Sequence, residues 1–134
     1  MNDIYSLYFD GCSKGNPGKA GAGAVIYKNN IEIVCISIFV GEKETNNIAE
    51  YNGLLIGLQE ARKLGITHLE VKGDSQLVIK QMKGEYQVKA PTLLKLYQTA
   101  KQLQKEFTQI SFTHVYRTDN KRADQLSNEG LLNF

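Results

Sequence analysis

Four acidic residues stand where a carboxylate could hold a metal ion or move a proton. Asp10 closes the strand-like run "DIYSLYFD", and Asp74 follows a second such run, "THLEVKG". Glu50 lies on the apolar stripe of a predicted helix, four residues before Leu54, where an acid is costly unless a cation meets it. Asp124 falls in the first turn of the last predicted helix. Because Mg²⁺ prefers carboxylate oxygen, a cluster of these acids would favour magnesium-dependent chemistry.

Each acid also has an ordinary structural explanation. Asp10 precedes a glycine in a common turn pair, and Glu50 could be a solvated surface charge. Asp74 could cap the helix that follows it, and Asp124 would stabilise a helix macrodipole. The sequence nevertheless favours convergence of the four acids on one site. Asp10 and Asp74 end strands that are plausible parallel neighbours, so both would emerge at the sheet edge where ligands bind. Four acids meeting there without matching basic residues would repel one another, and divalent cations relieve that repulsion.

The elements that position these acids follow from hydrophobic periodicity. The runs "DIYSLYFD", "GAVIYK" and "IEIVCISIFV" predict three antiparallel strands, with a tight turn at Asn29-Asn30. "THLEVKG" and "QISFTHVYR" predict two more strands, the fourth of them parallel to a neighbour. Helices are predicted over residues 46–64, "SQLVIKQMK", "PTLLKLYQTAKQLQKEF" and "NKRADQLSNEGLL", the last capped by Asn120. The sequence therefore predicts an α/β fold, a five-stranded mixed sheet with helices on both faces in the order βββαβααβα.

The composition limits the class of protein. A chain of 134 residues suggests one domain, and 42% hydrophobic residues suffice for a core. The net charge of +2 excludes a strongly basic, histone-like protein but leaves room for a local nucleic-acid-binding patch. Cys12 and Cys35 form no CxxC pair, which argues against a zinc site. Because "MNDIYSLYF" is not a signal peptide and no run approaches the ~20 apolar residues of a membrane helix, we expect a soluble cytoplasmic protein with reduced thiols.

The glycine-rich stretch "LYFDGCSKGNPGKAGAG" fails the common phosphate-binding patterns. A P-loop would need glycine where Ser13 stands and serine or threonine where Ala20 stands. A dinucleotide fingerprint would need glycine at Ile26. A phosphatase that forms an aspartyl phosphate would commonly carry a second aspartate at Cys12. These classes are set aside, and the stretch is interpreted as a loop.

Four motifs, taken together, resemble type 1 ribonuclease H over essentially the whole chain: "FDGCSKGNPGKAGAG", "TNNIAE", "GDSQLV" and "NKRAD". The resemblance implies one ribonuclease H domain over residues 1–134. It implies an endonuclease that hydrolyses the RNA strand of RNA–DNA hybrids and leaves 5′-phosphate and 3′-hydroxyl ends. The implied partner is the hybrid, with no membrane and a monomeric state, and the small residues after Asp10 would let backbone approach the nucleic acid.

The resemblance also implies the catalytic machinery. Two Mg²⁺ ions, replaceable by Mn²⁺, would flank the scissile phosphate roughly 4 Å apart. Asp10 would bridge both ions, and Asp124 would help hold the ion that activates the attacking water. Glu50 and Asp74 would hold the ion that stabilises the leaving 3′-oxygen.

The implied substrate contacts include recognition of the 2′-hydroxyl that distinguishes RNA from DNA. The residues that would contact the 2′-hydroxyl are Gly11 and Cys12, through their backbone, and Asn46, Glu50 and Gln76, through their side chains. The remaining substrate contacts are Asn16, Thr45, Asn47, Arg117 and Asn120. Turn chemistry at Asn16 and helix capping at residues 45–47 are ordinary alternatives that can coexist with substrate binding.

Two departures from the family pattern bear on function. The loop "RTDN" is short and lacks the histidine that many bacterial members carry there, so Arg117 would take part of its place. His68 and His114 are interpreted as structural, with the His114 side chain on a sheet face. A basic protrusion with tryptophan, present in some members, is also missing, and a diffuse patch remains at Lys80, Lys83, Lys89 and Lys95.

Two other functions stay open. One is a nuclease that also accepts double-stranded RNA, and the other is a catalytically silent nucleic-acid-binding domain of the same fold. A replication or reverse-transcription partner is compatible with the sequence but not specified by it.

Overall fold

The computed structural model describes residues 3–133, which form five strands and four helices. The elements are β1 (Tyr5–Lys14), β2 (Gly18–Lys28), β3 (Ile31–Glu44), α1 (Asn46–Lys63), β4 (His68–Gly73), α2 (Gln76–Met82), α3 (Pro91–Gln104), β5 (Gln109–His114) and α4 (Lys121–Gly130). A 3₁₀ turn over Arg117–Asp119 lies between β5 and α4. The predicted order βββαβααβα is confirmed.

The sheet is mixed, as predicted, with the strand order β3-β2-β1-β4-β5. Strand β2 runs antiparallel to β1 and to β3, while β4 runs parallel to β1 and to β5. The turn between β2 and β3 uses Asn29 and Asn30 with φ of 52° and 68°, a conformation that asparagine tolerates. Strand β1 is central, which explains why its residues are apolar on both faces.

Helices cover both faces of the sheet. Leu7 and Phe9 of β1 are fully buried in the larger core, against α1, α2 and α3. On the opposite face, α4 packs Ala123 and Leu126 against Val25. Side chains alternate along β1, so Tyr8 and Asp10 lie on the α4 side of the sheet, and Phe9 lies on the opposite side.

The glycine-rich stretch is strand rather than the predicted loop. Strands β1 and β2 stay paired through it, with Gly11 opposite Ala22 and Lys14 opposite Lys19, and only residues 15–17 turn, through a cis Asn16-Pro17 bond. The prediction was wrong because glycine and alanine read as breakers of isolated strands. In the folded protein, their small size lets helices pack directly on the ladder.

Several boundaries and caps also differ from the predictions. Strand β5 ends at His114 rather than at residue 117, and α3 ends at Gln104 rather than at residue 107. Ser75, not Asp74, caps α2, because its hydroxyl accepts from the Val78 N–H at 3.2 Å. Asn120 occupies the N-cap position of α4 without a side-chain capping bond.

In the part of the chain that the structure describes, no helix is long and apolar enough to cross a membrane.

Candidate active site

Three of the predicted acids come together at one edge of the sheet. Oxygen atoms of Asp10, Glu50 and Asp74 all lie within 4.8 Å of one another. Asp10 and Glu50 are buried, with 6% and 4% of their surface exposed, and Asp74 is half-buried. Asp124, on the first turn of α4, lines the same groove. The convergence expected from the strand ends is therefore present.

The sheet register explains why Asp10 and Asp74 meet. Phe9 and Gly73 are the last paired residues of the parallel strands β1 and β4, and each acid follows directly. Both carboxylates therefore emerge at the same height, at the carboxyl edge of the sheet.

Gly11 explains how Glu50 reaches this edge. A Cβ at Gly11 would lie 2.2 Å from the carbonyl carbon of Ala49, so any other residue would push α1 away from β1. The close approach lets the Gly11 N–H donate to Glu50 Oε1 at 2.6 Å. Gly23 plays the same part for α4, where a Cβ would lie 2.5 Å from the Leu126 Cβ. These glycines let α1 and α4 pack closely on the sheet. The approach of nucleic acid to the small residues after Asp10, which the resemblance implies, stays a prediction.

Burial makes the acids hard to ionise together. It raises the pKa of Asp10 to about 7, and the nearby charge of Asp74 adds to the shift, although the neighbouring Glu50 carboxyl and the Gly11 N–H oppose it. Burial is also the main cause that raises the pKa of Glu50 well above its usual range, with Asp10 next. A proton or a cation must therefore accompany this group of carboxylates near neutral pH.

The residues fit a hard divalent cation. Among residues 3–133, Glu50 Oε2 is buried without a hydrogen-bond partner, which is the position of an atom that accepts a ligand. The donors are carboxylate oxygens, which suit Mg²⁺ and Mn²⁺ rather than a soft metal. Asp10, Glu50 and Asp74 could hold such an ion directly, with Asp124 at the edge of the set.

The acids form the floor of an open groove of about 550 Å³. One wall is the start of α1, and the other is the segment that follows β5. The predicted site residues that line it are Asp10, Gly11, Cys12, Asn46, Asn47, Glu50, Asp74, Arg117 and Asp124.

Two of the remaining predicted residues support the rim of the groove. Asn16 Oδ1 accepts from the Asn46 N–H at 2.9 Å, and Asn46 Oδ1 accepts from the Ser13 N–H at 3.0 Å. Thr45 caps α1, because its hydroxyl accepts from the Ile48 N–H at 3.2 Å. These bonds tie the β1–β2 turn to the start of α1, so the turn and capping alternatives hold for Asn16 and Thr45. Gln76 is exposed at the first turn of α2.

Asn120 does not face the groove, contrary to its prediction as a substrate contact. Its side chain is 1% exposed, and its Nδ2 donates to the Phe9 carbonyl at 3.0 Å. It joins the start of α4 to the end of β1 and so helps place Asp124 near Asp10.

His114 lines the groove, which the sequence did not predict. It is the last residue of β5 and is still paired with Gly73, so a place on a sheet face is compatible with a place in the groove. Its ring lies edge-to-face against Tyr116, with centroids 5.9 Å apart, and Tyr116 is 75% exposed. His114 pairs with Gly73, so the strand-end rule that found Asp74 would also have found it.

Sequence reasoning missed several groove-lining residues: Ser13, Lys14, Ser75, Tyr116 and Asn128. Asn128 donates from Nδ2 to the Asp124 carbonyl at 2.9 Å and to Asp124 Oδ1 at 3.4 Å. Its spacing of four residues from Asp124, one helical turn, was the available signal.

One family model and several known proteins match most of this chain. Residues 8–130 match the family model described as "Reverse transcriptase-like". The "Bifunctional protein Rv2228c" of Mycobacterium tuberculosis is 45% identical over 123 residues, which cover 91% of this chain and 34% of that protein. "Ribonuclease HI" of Halobacterium salinarum is 42% identical over 124 residues, covering 92% of this chain and 62% of that protein. The chain thus spans about a third to three fifths of the length of these relatives.

Two solved structures share the whole fold. The crystal structure of RNase H1 from Halobacterium salinarum has a TM-score of 0.92 and 38% identity, and the match covers 98% of this chain and 99% of that one. LC11-RNase H1 in complex with an RNA/DNA hybrid has a TM-score of 0.89 and 34% identity, covering 95% and 96% of the two chains.

Proposed function

Because this chain belongs to the type 1 ribonuclease H family, we propose that it hydrolyses the RNA strand of RNA–DNA hybrids. The observation that carries the proposal is the meeting of Asp10, Glu50, Asp74 and Asp124 in one open groove. The likeness to a protein solved with an RNA/DNA hybrid supports the substrate class. The proposed products carry 5′-phosphate and 3′-hydroxyl ends.

The proposed cofactor is a pair of Mg²⁺ ions, for which Mn²⁺ can substitute. The four acids would hold them, and bound ions would supply an activated water and neutralise charge on the scissile phosphate. The unpartnered oxygen of Glu50 and the raised pKa of Asp10 support this assignment, since both carboxylates require a cation or a proton.

The chain's own residues would preorganise this site. Glu50 is held by the Gly11 N–H, and burial fixes the orientation of Asp10, so little reorganisation is needed when the substrate binds. Because the Gly11 N–H is already donated to Glu50, recognition of the 2′-hydroxyl would fall more heavily on Asn46 and Cys12, which line the groove.

Arg117 supplies positive charge on the opposite wall, where it is exposed beside Asp124 in the groove. We assign it a contact with a substrate phosphate, since guanidinium groups match phosphate geometry. Asn47 and Thr45 at the start of α1 would contact the strands from the other wall.

The test is cleavage of end-labelled substrates: an RNA–DNA hybrid, double-stranded RNA and double-stranded DNA, each with Mg²⁺, Mn²⁺ or excess chelator. The proposal expects cleavage of the hybrid RNA strand only when a metal is added. Cleavage of double-stranded RNA as well would establish the broader nuclease. Binding of the hybrid without cleavage in either metal would establish the silent binding domain. Full activity in chelator would refute the metal assignment.

A monomeric state and a cytoplasmic location belong to the same proposal. Sedimentation of the purified chain and fractionation of the source cells would test them.

A further inference from the structure

Asp124 differs from Asp10 and Glu50 in how it is held. Asp10 and Glu50 are fixed by burial and by the fold around Gly11, whereas Asp124, like Asp74, is half-buried. Unlike Asp74, Asp124 also lies outside the set whose oxygens are within 4.8 Å of one another. A half-exposed carboxylate samples several rotamers unless a neighbour restrains it. A neighbour that restrains Asp124 would therefore affect how this acid meets a cation.

Asn128 is positioned to be that neighbour. It lies one turn further along α4 and lines the groove. Its Nδ2 donates to the Asp124 carbonyl at 2.9 Å and reaches Asp124 Oδ1 at 3.4 Å. The first contact anchors the amide on the helix, and the second brings a donor to the carboxylate.

Asp124 itself sets the orientation of the Asn128 amide. Its carbonyl and Oδ1 both accept, so they favour the amide nitrogen on their side and leave the oxygen on the other. On that other side the Cys12 Sγ lies 3.9 Å from Asn128 Oδ1, while its single proton is donated to the Ser127 carbonyl at 3.4 Å. This arrangement leaves the amide nitrogen directed at Asp124.

We propose that Asn128 is a positioning residue that orients the Asp124 carboxylate for divalent-cation binding. This proposal rests on the proposed function for its role in cleavage but not for its role in metal binding. A neutral amide suits the task because it donates a hydrogen bond without adding a positive charge. Lysine or arginine at this position would compete with the cation for the carboxylate.

Asn52 offers a matched control. On α1 it makes the same bond one turn back, from Nδ2 to the Ile48 carbonyl at 2.8 Å, without reaching an acid. Asn52→Ala and Asn128→Ala thus both remove an amide that bonds a helix carbonyl. Only the second removes a donor from a carboxylate of the groove.

The first measurement is the single-turnover rate of hybrid cleavage as a function of Mg²⁺ concentration. Loss of a group that supports a metal ligand typically weakens metal affinity by 10- to 100-fold. We expect Asn128→Ala to raise the half-saturating Mg²⁺ concentration about 10-fold, with most of the rate recovered at saturation. Asn128→Gln, which keeps an amide donor, should recover part of the affinity, and Asn52→Ala should leave it unchanged.

The second measurement is calorimetric titration of the substrate-free protein with Mg²⁺ and with Mn²⁺. Weaker binding in Asn128→Ala than in wild type and Asn52→Ala would support the proposal even if the wild type failed to cleave any substrate. Unchanged metal affinity in a folded Asn128→Ala would overturn it. A rate that fell equally at every Mg²⁺ concentration would also overturn it, because Asn128 would then act on the substrate. If Asn128→Ala does not fold, Asn128→Ser carries the same comparison.

Discussion

Glu50 and Tyr51 are adjacent on α1 and both are buried, yet their polar atoms are satisfied in different ways. The Tyr51 side chain is fully buried in the core, and its hydroxyl donates to Gln81 Oε1. Glu50 lines the groove, and its Oε2 has no hydrogen-bond partner among residues 3–133. Burial, and after it the neighbouring carboxyls, raise the pKa of Glu50. The Tyr51 hydroxyl is thus satisfied within the protein, whereas Glu50 keeps one oxygen for a ligand.

The unpaired oxygen of Glu50 indicates that the groove lowers the stability of the metal-free fold. Buried polar atoms are almost always paired, so an unpaired carboxylate oxygen beside two other acids is an exception with a cost. The cost is recovered when a cation binds, because the ion binds the folded state only. Substitutions in the two regions should therefore have opposite signatures in activity and stability.

The largest effect is expected from Asp10→Asn, which removes a central charge of the groove. Hybrid cleavage should fall on the order of 10³-fold or more, since the variant loses the main electrostatic stabilisation of the reaction. The metal-free protein should unfold at the same or higher denaturant concentration, because repulsion with Glu50 and Asp74 is relieved. Single-turnover rates and urea unfolding measure both. A variant that unfolds would instead mark Asp10 as a structural residue and break the comparison.

The next effect is the pH dependence of stability without metal. The pKa of Asp10 is raised in the folded state, so its contribution to stability is fully present below its unfolded pKa, near 4, and is lost as pH rises through about 7. In chelator, the free energy of unfolding should decline from pH 5 to pH 8, by at most about 1.4 kcal/mol per pH unit for each proton involved.

Two comparisons test the origin of that decline, both by urea unfolding at four pH values. Saturating Mg²⁺ should reduce the slope, because the cation replaces the proton. Asp10→Asn should reduce the slope in chelator, since one of the two carboxyls with a raised pKa is gone and only Glu50 remains. An equal slope in wild type and Asp10→Asn would assign the decline to other groups.

A smaller effect with the opposite signature is expected from Tyr51→Phe. Gln81 Oε1 would lose its donor while buried, which costs about 1–3 kcal/mol. Cleavage per folded molecule should not change, because the core and the groove lie on different sides of α1. Urea unfolding together with the single-turnover rate would show this separation. A large loss of rate at unchanged stability would mean that the core also sets the position of Glu50.

The smallest effects are expected on the wall that follows β5. Arg117→Ala should slow hybrid cleavage by roughly ten-fold or less, in line with the loss of one charge-assisted phosphate contact. His114→Ala should retain most of its rate in Mg²⁺, because activation of water by the ions needs no protein base. Rates of both variants are compared with Asp124→Asn, which should be nearly inactive. A folded His114→Ala as inactive as Asp124→Asn would make His114 part of the machinery.

The order of strands and helices and the acids Asp10, Glu50 and Asp74 could be predicted from the sequence. Hydrophobic periodicity acts over a few residues, so a local pattern is enough to reveal the elements, although the caps of α2 and α4 were not found in this way. Strand ends in parallel sheets share an edge, so the sequence alone predicts that Asp10 and Asp74 lie close together.

Tertiary contacts alone decided the rest. The role of Asn120 depends on the Phe9 carbonyl, 111 residues away in the chain, and the Asn128 side chain lies beside Cys12, 116 residues away. The need for glycine at position 11 depends on the backbone of Ala49, which no local pattern could place. Such contacts form only when strand pairing and helix packing bring distant segments together. The sequence therefore determined which acids are available, and the packing of α1 and α4 on β1 decided which neighbours hold them in place.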